Sequence, residues 1–268
     1  MSSRIVKLAL ASDLHLTPHS AEYRKEFLAD YLAPDILVLA GDISHGLTTI
    51  EMVHEIAARY PGPEIVLVAG NHEFYSHIPR PEMIIRLRDA FKDNNRIRFL
   101  ENDRIDIKGV TFLGFTLWSD FSLLGEPELA MAQAQRDISD FSLIQERFRV
   151  PFHPKDCERL FRESYEFLTQ NLADCEPDRT VVVSHFGPGL ETQNRNFEIG
   201  PLSSYFQANV AYLIDCYQPA LWIYGHNHDS QDFALGETRI VSNQLGYSRE
   251  SESITGFDPN KIIEMVVD

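Results

Sequence analysis

Cysteine is scarce in this 268-residue chain: Cys157, Cys175 and Cys216 are the whole complement. Thiols so few and so far apart build neither a zinc knuckle nor a redox pair. An odd count without a framework fits a reducing compartment rather than a disulfide scaffold. Positive charge is short as well. Lys and Arg number 24 against 40 Asp and Glu, for a net charge of −16, which argues against a surface that grips long nucleic acid, since phosphate contacts need clustered Lys and Arg. A small phosphate-bearing molecule needs only local positive charge and stays open. Long apolar runs are missing too. None approaches the roughly 20 residues of a membrane span, so no membrane partner is expected. The opening stretch MSSRIVKLALASD breaks its apolar run at Lys7, too early for a secretory h-region and cleavage site. The expectation is an acidic, cytoplasmic globular protein. What is present is an apolar content of 44%, ample for a core and far from a disordered composition.

The first ninety residues alternate strand-like and helix-like stretches. IVKLALAS (5–12), DILVLAG (35–41) and EIVLVAG (64–70) are short, nearly continuous apolar runs, as suits strands buried on both faces. Between them SAEYRKEFLADYLA (20–33) and TTIEMVHEIAARY (48–60) read as helices; in the second, Ile50, Val53, Ile56, Ala57 and Tyr60 recur at helical spacing. Pro34 and Pro61 act as stop signals. A third helix is predicted from Pro81 through Phe91, with proline in its first turn. Residues 97–118 then read as short strands of an antiparallel meander, and 127–147 and 154–173 as helices. TVVVSH (180–185) is a predicted strand, 203–217 a predicted helix, and ALWIYGH, DFALG, TRIVSN and KIIEMVV further strands. The economical arrangement is one α/β domain over 1–268 with two sheets and a helical insertion at about 114–178, near the strand ends that carry polar residues.

Those polar residues are not required by periodicity. SDLH supplies Asp13 and His15, GDIS supplies Asp42, and GNHE supplies Asn71, His72 and Glu73; SHFGP adds His185, and GHNH adds His226 and His228. All are residue types able to bind metal, and each set follows a predicted strand. Ligands of open α/β sheets gather at the carboxyl ends of strands, so five such ends can converge in one crevice. Residues two apart on extended backbone share a face, so His226 and His228 can aim at one point. Gly41, Gly70 and Gly225 stand just before these sets, where a residue without a Cβ lets the chain turn sharply. Singly each has a plain explanation: Asp13 and Asp42 as helix N-caps, Asn71 as a turn residue, the histidines as solvated strand ends. So many donors gathered at five strand ends have no such joint explanation.

The ordered series DLH, GDIS, GNHE, SHFGP and GHNH resembles the calcineurin-like metallophosphoesterase superfamily, in its bacterial-type branch. The resemblance spans residues 13–228 apart from the insertion. It implies a four-layer α/β/β/α sandwich with two mixed sheets and a two-metal centre at the strand ends. It implies that Asp13, His15 and His228 bind one metal, that Asn71, His185 and His226 bind the other, and that Asp42 bridges both. It also places His72 beside the substrate, as proton donor to the leaving alkoxide or as a clamp on phosphate oxygen.

The chemistry fits these residue types. Two divalent ions about 3.5–4 Å apart can stabilise the attacking and leaving oxygens of an in-line displacement at phosphorus. Mixed imidazole, carboxylate and amide donors suit Mn, Fe or Zn better than an all-oxygen Mg site. Histidine suits the task of His72 because its pKa lies near neutral pH. In one respect the chain departs from protein phosphatases of the superfamily, which continue the second block as GD-x-V-D-R-G. Here GDISHG has His45 and Gly46 where their Asp and Arg stand, so a guanidinium clamp is missing there. The expected activity is hydrolysis of a phosphate ester, a small-molecule or nucleotide phosphodiester rather than a phosphoprotein. The alternatives are a small-molecule phosphomonoesterase, a hydrolase with a single zinc, and a non-catalytic scaffold of this fold. Candidate substrate contacts are His45, Tyr75, His77, Trp118 and Phe186; His45 can equally be a solvated loop residue, and Trp118 a core residue.

Overall fold

The computed structural model describes residues 4–17, 33–250 and 252–267. The first apolar run forms β1 (Arg4–Ala11) and the second β2 (Ile36–Ala40). The helix expected between them at 20–33 lies outside the described residues, Ala33 apart. Then follow α1 (Thr48–Arg59), β3 (Glu64–Val68), α2 (Arg80–Phe91) and β4 (Ile97–Leu100). Two strands, β5 (Asp103–Ile107) and β6 (Val110–Phe115), precede α3 (Pro127–Asp137), the single turn α4 (Asp140–Leu143) and the small hairpin of β7 (Gln145–Arg147) and β8 (Val150–Pro151). The long α5 (Pro154–Asp174) leads to β9 (Thr180–Ser184), α6 (Ser203–Phe206), α7 (Ala211–Tyr217) and β10 (Leu221–Tyr224). The chain ends with β11 (Asp232–Leu235), β12 (Thr238–Ser242), α8 (Glu252–Thr255) and β13 (Ile262–Val267).

Two mixed sheets result. One has the order β13-β1-β2-β3-β4, the other β11-β12-β10-β9-β6-β5. Within each, the inner strands run parallel and the outermost pair or pairs antiparallel. The period-two alternation of the strands explains the layering. Val6, Leu8, Val38 and Val66 of the first sheet meet Phe112, Val181, Val183 and Ile223 of the second in a dry core between the sheets. Their neighbours Leu37, Leu39, Ile65 and Leu67 face outward onto Met52, Val53 and Leu87 of the first two helices. On the far side Leu113, Val182 and Trp222 pack with Leu160, Leu168 and Ile214 of α5 and α7. The sandwich is therefore α/β/β/α, and both faces of each sheet are covered.

Local chemistry explains the best-formed helix. Pro154 opens α5, the His153 ring accepts the Lys155 N–H, and Asp156 accepts the His153 N–H at 3.0 Å, a reciprocal cap. Cys157, Leu160, Phe161, Ser164, Leu168 and Leu172 then make one buried stripe, each large apolar member contributing about 1.5–3 kcal/mol.

Three expectations need correction. Residues 97–118 are not one meander, because β4 pairs in parallel with β3 while β5 and β6 form a hairpin in the other sheet; the chain crosses between sheets at Glu101 and Asn102, where Asn102 takes a positive φ of 54°. The helix expected over 127–147 breaks at Ile138, whose backbone is extended, and residues 145–151 pair as strands instead. That hairpin is tied to α2 by the partly buried Arg80–Glu146 ion pair at 2.8 Å. The helix expected over 203–217 is split into α6 and α7, since Gln207 leaves the helix to bridge Gly187.

Candidate metal centre

The carboxyl ends of β1, β2, β3, β9 and β10 deliver all seven candidate ligands to one crevice. The loops after β1 and β2 are stitched together, Asp13 and His15 donating their N–H groups to the Gly41 and Asp42 carbonyls at 3.0 Å. The His226 N–H donates to the Asp13 carboxylate at 3.0 Å, and the His228 N–H to Gln244 Oε1 at 2.6 Å. These bonds hold an uncommon backbone. Asp13, His15, Asp42, His226 and His228 all have positive φ, between 43° and 79°, a conformation costing about 1–3 kcal/mol at each non-glycine residue. His226 and His228 thus converge for a reason other than strand alternation: both lie beyond β10, on left-handed loop backbone. The glycines need a similar correction. Gly41 has φ of +87°, but Gly70 and Gly225 serve close approach rather than a turn. A Cβ on Gly225 would stand 2.7 Å from the Asp13 carboxylate, and one on Gly70 would collide with Asp42.

The side chains gather in two groups. Asp13, His15 and His228 bring ligand atoms within 4.8 Å of one another, and so do Asp42, His185 and His226. In the first, His15 Nε2 and His228 Nε2 face each other at 3.1 Å, with Asp13 Oδ1 3.5 Å from His228 Nε2. In the second, Asn71 Oδ1 lies 3.1 Å from both His185 Nε2 and His226 Nδ1, and Asp42 Oδ1 lies 3.4 Å from His185 Nε2.

This donor set calls for positive charge. Burial pushes the Asp13 and Asp42 carboxyls upward, yet the imidazoles beside them hold both below the usual range, Asp42 well below. Burial works against charge on His185 and His228, but Asp42 raises the first to about 9, and Asp13 with Glu250 raises the second to about 10. Burial drives His15 down to about 3 and His226 well below its ordinary value, so these two keep free lone pairs. His15 Nδ1 and His226 Nε2 are buried without a hydrogen-bond partner among the described residues. Carboxylates, neutral imidazoles and an amide oxygen crowded together fit divalent cations, whose charge would replace the protons on His185 and His228.

Several residues support these groups. Asp140, at the start of α4, is 1% exposed; it accepts Asn71 Nδ2 at 3.0 Å, the Tyr75 hydroxyl at 2.6 Å and the Tyr205 hydroxyl. Glu250 Oε2 accepts from His228 Nδ1 at 2.7 Å, the carboxylate-to-histidine contact that orients a metal ligand. Glu73, a residue type able to bind metal, points away. It accepts the Asp42, Ile43, Ser44 and Gly70 N–H groups and so clamps two ligand loops together, with its carboxyl raised to about 7 by burial and by Asp42. The Asn227 side chain, between the two histidines, is held by the Thr192 carbonyl and Gln244 and joins neither donor group.

His72 begins a short 3₁₀ turn directly after Asn71. Its N–H donates to Asp42 Oδ1 at 2.9 Å, and its ring stacks on Tyr75 with centroids 4.2 Å apart. His72 Nδ1 lies 2.8 Å from His45 Nε2, and its Nε2 lies 3.2 Å from the Tyr247 hydroxyl. His72 thus meets His45, the residue that stands where the phosphatases have Asp. Trp118 and Phe186 are corrected: both are buried, Trp118 against Phe152 and Phe186 against His226, so neither stands on the rim. His77 is exposed and apart from the crevice residues. Tyr247, Glu250 and Asp140 had no signal in the sequence, since none adjoins a predicted strand end. The crevice holds about 360 Å³, and residues 137–140 of the 114–178 segment form part of its wall.

The calcineurin-like phosphoesterase family model matches residues 6–230, and the chain belongs to that family. A relative in Acanthamoeba polyphaga mimivirus, "Uncharacterized protein L509", is 25% identical over 249 residues, covering 87% of this chain and 85% of that protein. Phosphopantetheinyl hydrolase (PptH) from Mycobacterium tuberculosis has a similar structure, with a TM-score of 0.72 at 20% identity over 91% of this chain and 90% of that one. GAP50, described as the anchor in the inner membrane complex of Plasmodium, matches with a TM-score of 0.52 at 11% identity, covering 97% and 78%. At these identities the two structures speak for the fold. Family and geometry together support a hydrolase, and no described helix is long and apolar enough to cross a membrane.

Proposed function

We propose that the protein is a two-metal phosphoesterase acting on a phosphodiester of a small molecule or nucleotide. The observation that carries this is the pair of adjacent donor groups, each a carboxylate with two imidazoles, the second completed by Asn71. Asp13, His15 and His228 would hold one ion, Asn71, His185 and His226 the other, and Asp42 both; Mn, Fe or Zn suits these donors. Bound there, the two ions supply Lewis acidity to the phosphoryl group and a nucleophile at neutral pH.

The chain's own residues handle the leaving group. His45 Nε2 lies 2.8 Å from His72 Nδ1 and fixes the ring, so that the imidazolium form of His72 can give its Nε2 proton to the leaving oxygen and become neutral. Tyr247 holds that nitrogen from the other side and stacks on His15 at 4.4 Å. The crevice wall favours a diester: it carries Asp137, Asp140 and Glu250 but no Lys or Arg among its described residues, so a monoester dianion meets more repulsion than a diester monoanion. The 114–178 segment acts on the site through Asp140 and its neighbours.

The test is hydrolysis of bis(para-nitrophenyl) phosphate and para-nitrophenyl phosphate by stripped protein titrated with manganese. Diester turnover saturating near two equivalents supports the proposal. Monoester turnover alone makes the protein a phosphomonoesterase, saturation at one equivalent a single-metal hydrolase, and metal binding without turnover of either ester a scaffold. A phosphopantetheinyl ester, the substrate class named for the mycobacterial neighbour, belongs in the panel.

A further inference from the structure

Beside the crevice, and sharing Ile138, Asn194, Phe197, Phe206 and Asn227 with it, lies a second cavity of about 420 Å³. Its wall is mostly apolar, with Pro201 and Leu202 joining those residues, and Glu198 is its one charged residue among those described. Two glutamines in this wall are incompletely bonded. Gln207 is 1% exposed, and neither its Oε1 nor its Nε2 has a hydrogen-bond partner among the described residues. Gln193 gives its Nε2 to the Asn194 and Phe197 carbonyls, and its Oε1 is buried without a partner. The large majority of buried side-chain amides in native proteins have a hydrogen-bond partner, so an orphaned one in a cavity wall calls for a group to meet it. The Gln207 backbone is fixed by the Ser203 carbonyl and the bridge to Gly187, which keeps its amide in that wall.

We infer, resting on the phosphoesterase reading above, that this cavity receives one ester arm of the substrate, a neutral and mainly apolar chain that carries an amide. The two cavities adjoin along the shared residues, so an arm leading from a phosphoryl group in the crevice would pass Phe206 and Asn227. The apolar wall rewards hydrocarbon. A second phosphate finds no cation there and meets Glu198. A secondary amide offers one N–H and one C=O, the complement of the free donor and acceptor on Gln207.

The test compares, on the metal-loaded full chain, para-nitrophenyl phosphodiesters of methanol, n-nonanol and N-hexanoylethanolamine. We expect kcat/KM to rise from methyl to nonyl, and by about a further tenfold for the amide arm. Gln207→Leu brings the ratio of amide to nonyl to about one. Gln133→Trp, which fills the cavity from α3, brings the ratio of amide to methyl to about one. Equal kcat/KM for all three arms, or unchanged ratios in both variants, overturns the inference. If none of the three diesters is hydrolysed, the phosphoesterase reading is what fails. The cavity is then judged by binding of N-hexanoylethanolamine alone. A shift of the Gln207 side-chain NH₂ resonance that is lost in Gln133→Trp supports it, and no shift refutes it.

Discussion

Asp140 provides the sharpest test of how the second donor group is built. A carboxylate can only accept, so it selects the Asn71 orientation with Nδ2 toward itself at 3.0 Å and Oδ1 toward His185 and His226 at 3.1 Å. Without it the amide can turn over and present a donor where a cation needs an acceptor. Asp140→Ala also leaves the Tyr75 and Tyr205 hydroxyls and the Asn71 amide without their acceptor. Each loss costs about 1–3 kcal/mol where water does not enter, so a destabilisation of about 3 kcal/mol or more is expected. Asp140→Asn keeps one oxygen acceptor and should cost about 1–2 kcal/mol. Metal affinity at the second group should fall about 10–100-fold, as for other residues that orient a ligand. The assay is metal content per chain after dialysis, with denaturant unfolding of the stripped protein for stability. Wild-type loses nothing on dialysis, Asp140→Asn loses one equivalent, and the first group stays filled. Asp140→Ala with two retained equivalents and wild-type stability would refute the reasoning.

Other perturbations read different parts of the site. Glu250→Gln should weaken the Asp13, His15 and His228 group by about 10–100-fold, seen as loss of the other metal equivalent; equal retention in both groups would remove Glu250 from that role. His72→Ala should keep both metals and lose about 10²–10⁴-fold in turnover on esters with poor leaving groups, with much less loss on nitrophenyl esters. A loss independent of leaving-group pKa means that His72 is not the donor. Gly70→Ala drives a methyl into the Asp42 carboxylate; overpacking of this kind costs about 1–3 kcal/mol or more, so both the melting temperature and the metal content should fall. An unchanged melting temperature would show that the loops yield.

Much of this protein is legible in the sequence because the relevant cues are local. Strands buried on both faces show as continuous apolar runs, α5 shows through its buried stripe and cap, and each candidate ligand directly follows one of those runs. What the sequence could not contain is pairing between distant segments. Whether β4 joins β3 or β5 depends on which strand edge is free, and the run IRFL is the same in either case. Asn71 meets Asp140 across 69 positions, and His72 meets Tyr247 across 175. An aspartate after a helix, or a tyrosine in GYSRE, carries no mark of that future partner. Trp118 looked equally fit for a rim or a core until the strands around it closed. The sequence by itself determined which atoms can bind a cation and on which strand ends they stand. The tertiary structure decided which of them meet, on what backbone strain, and which distant carboxylates hold them in place, because those contacts exist only once both sheets have packed.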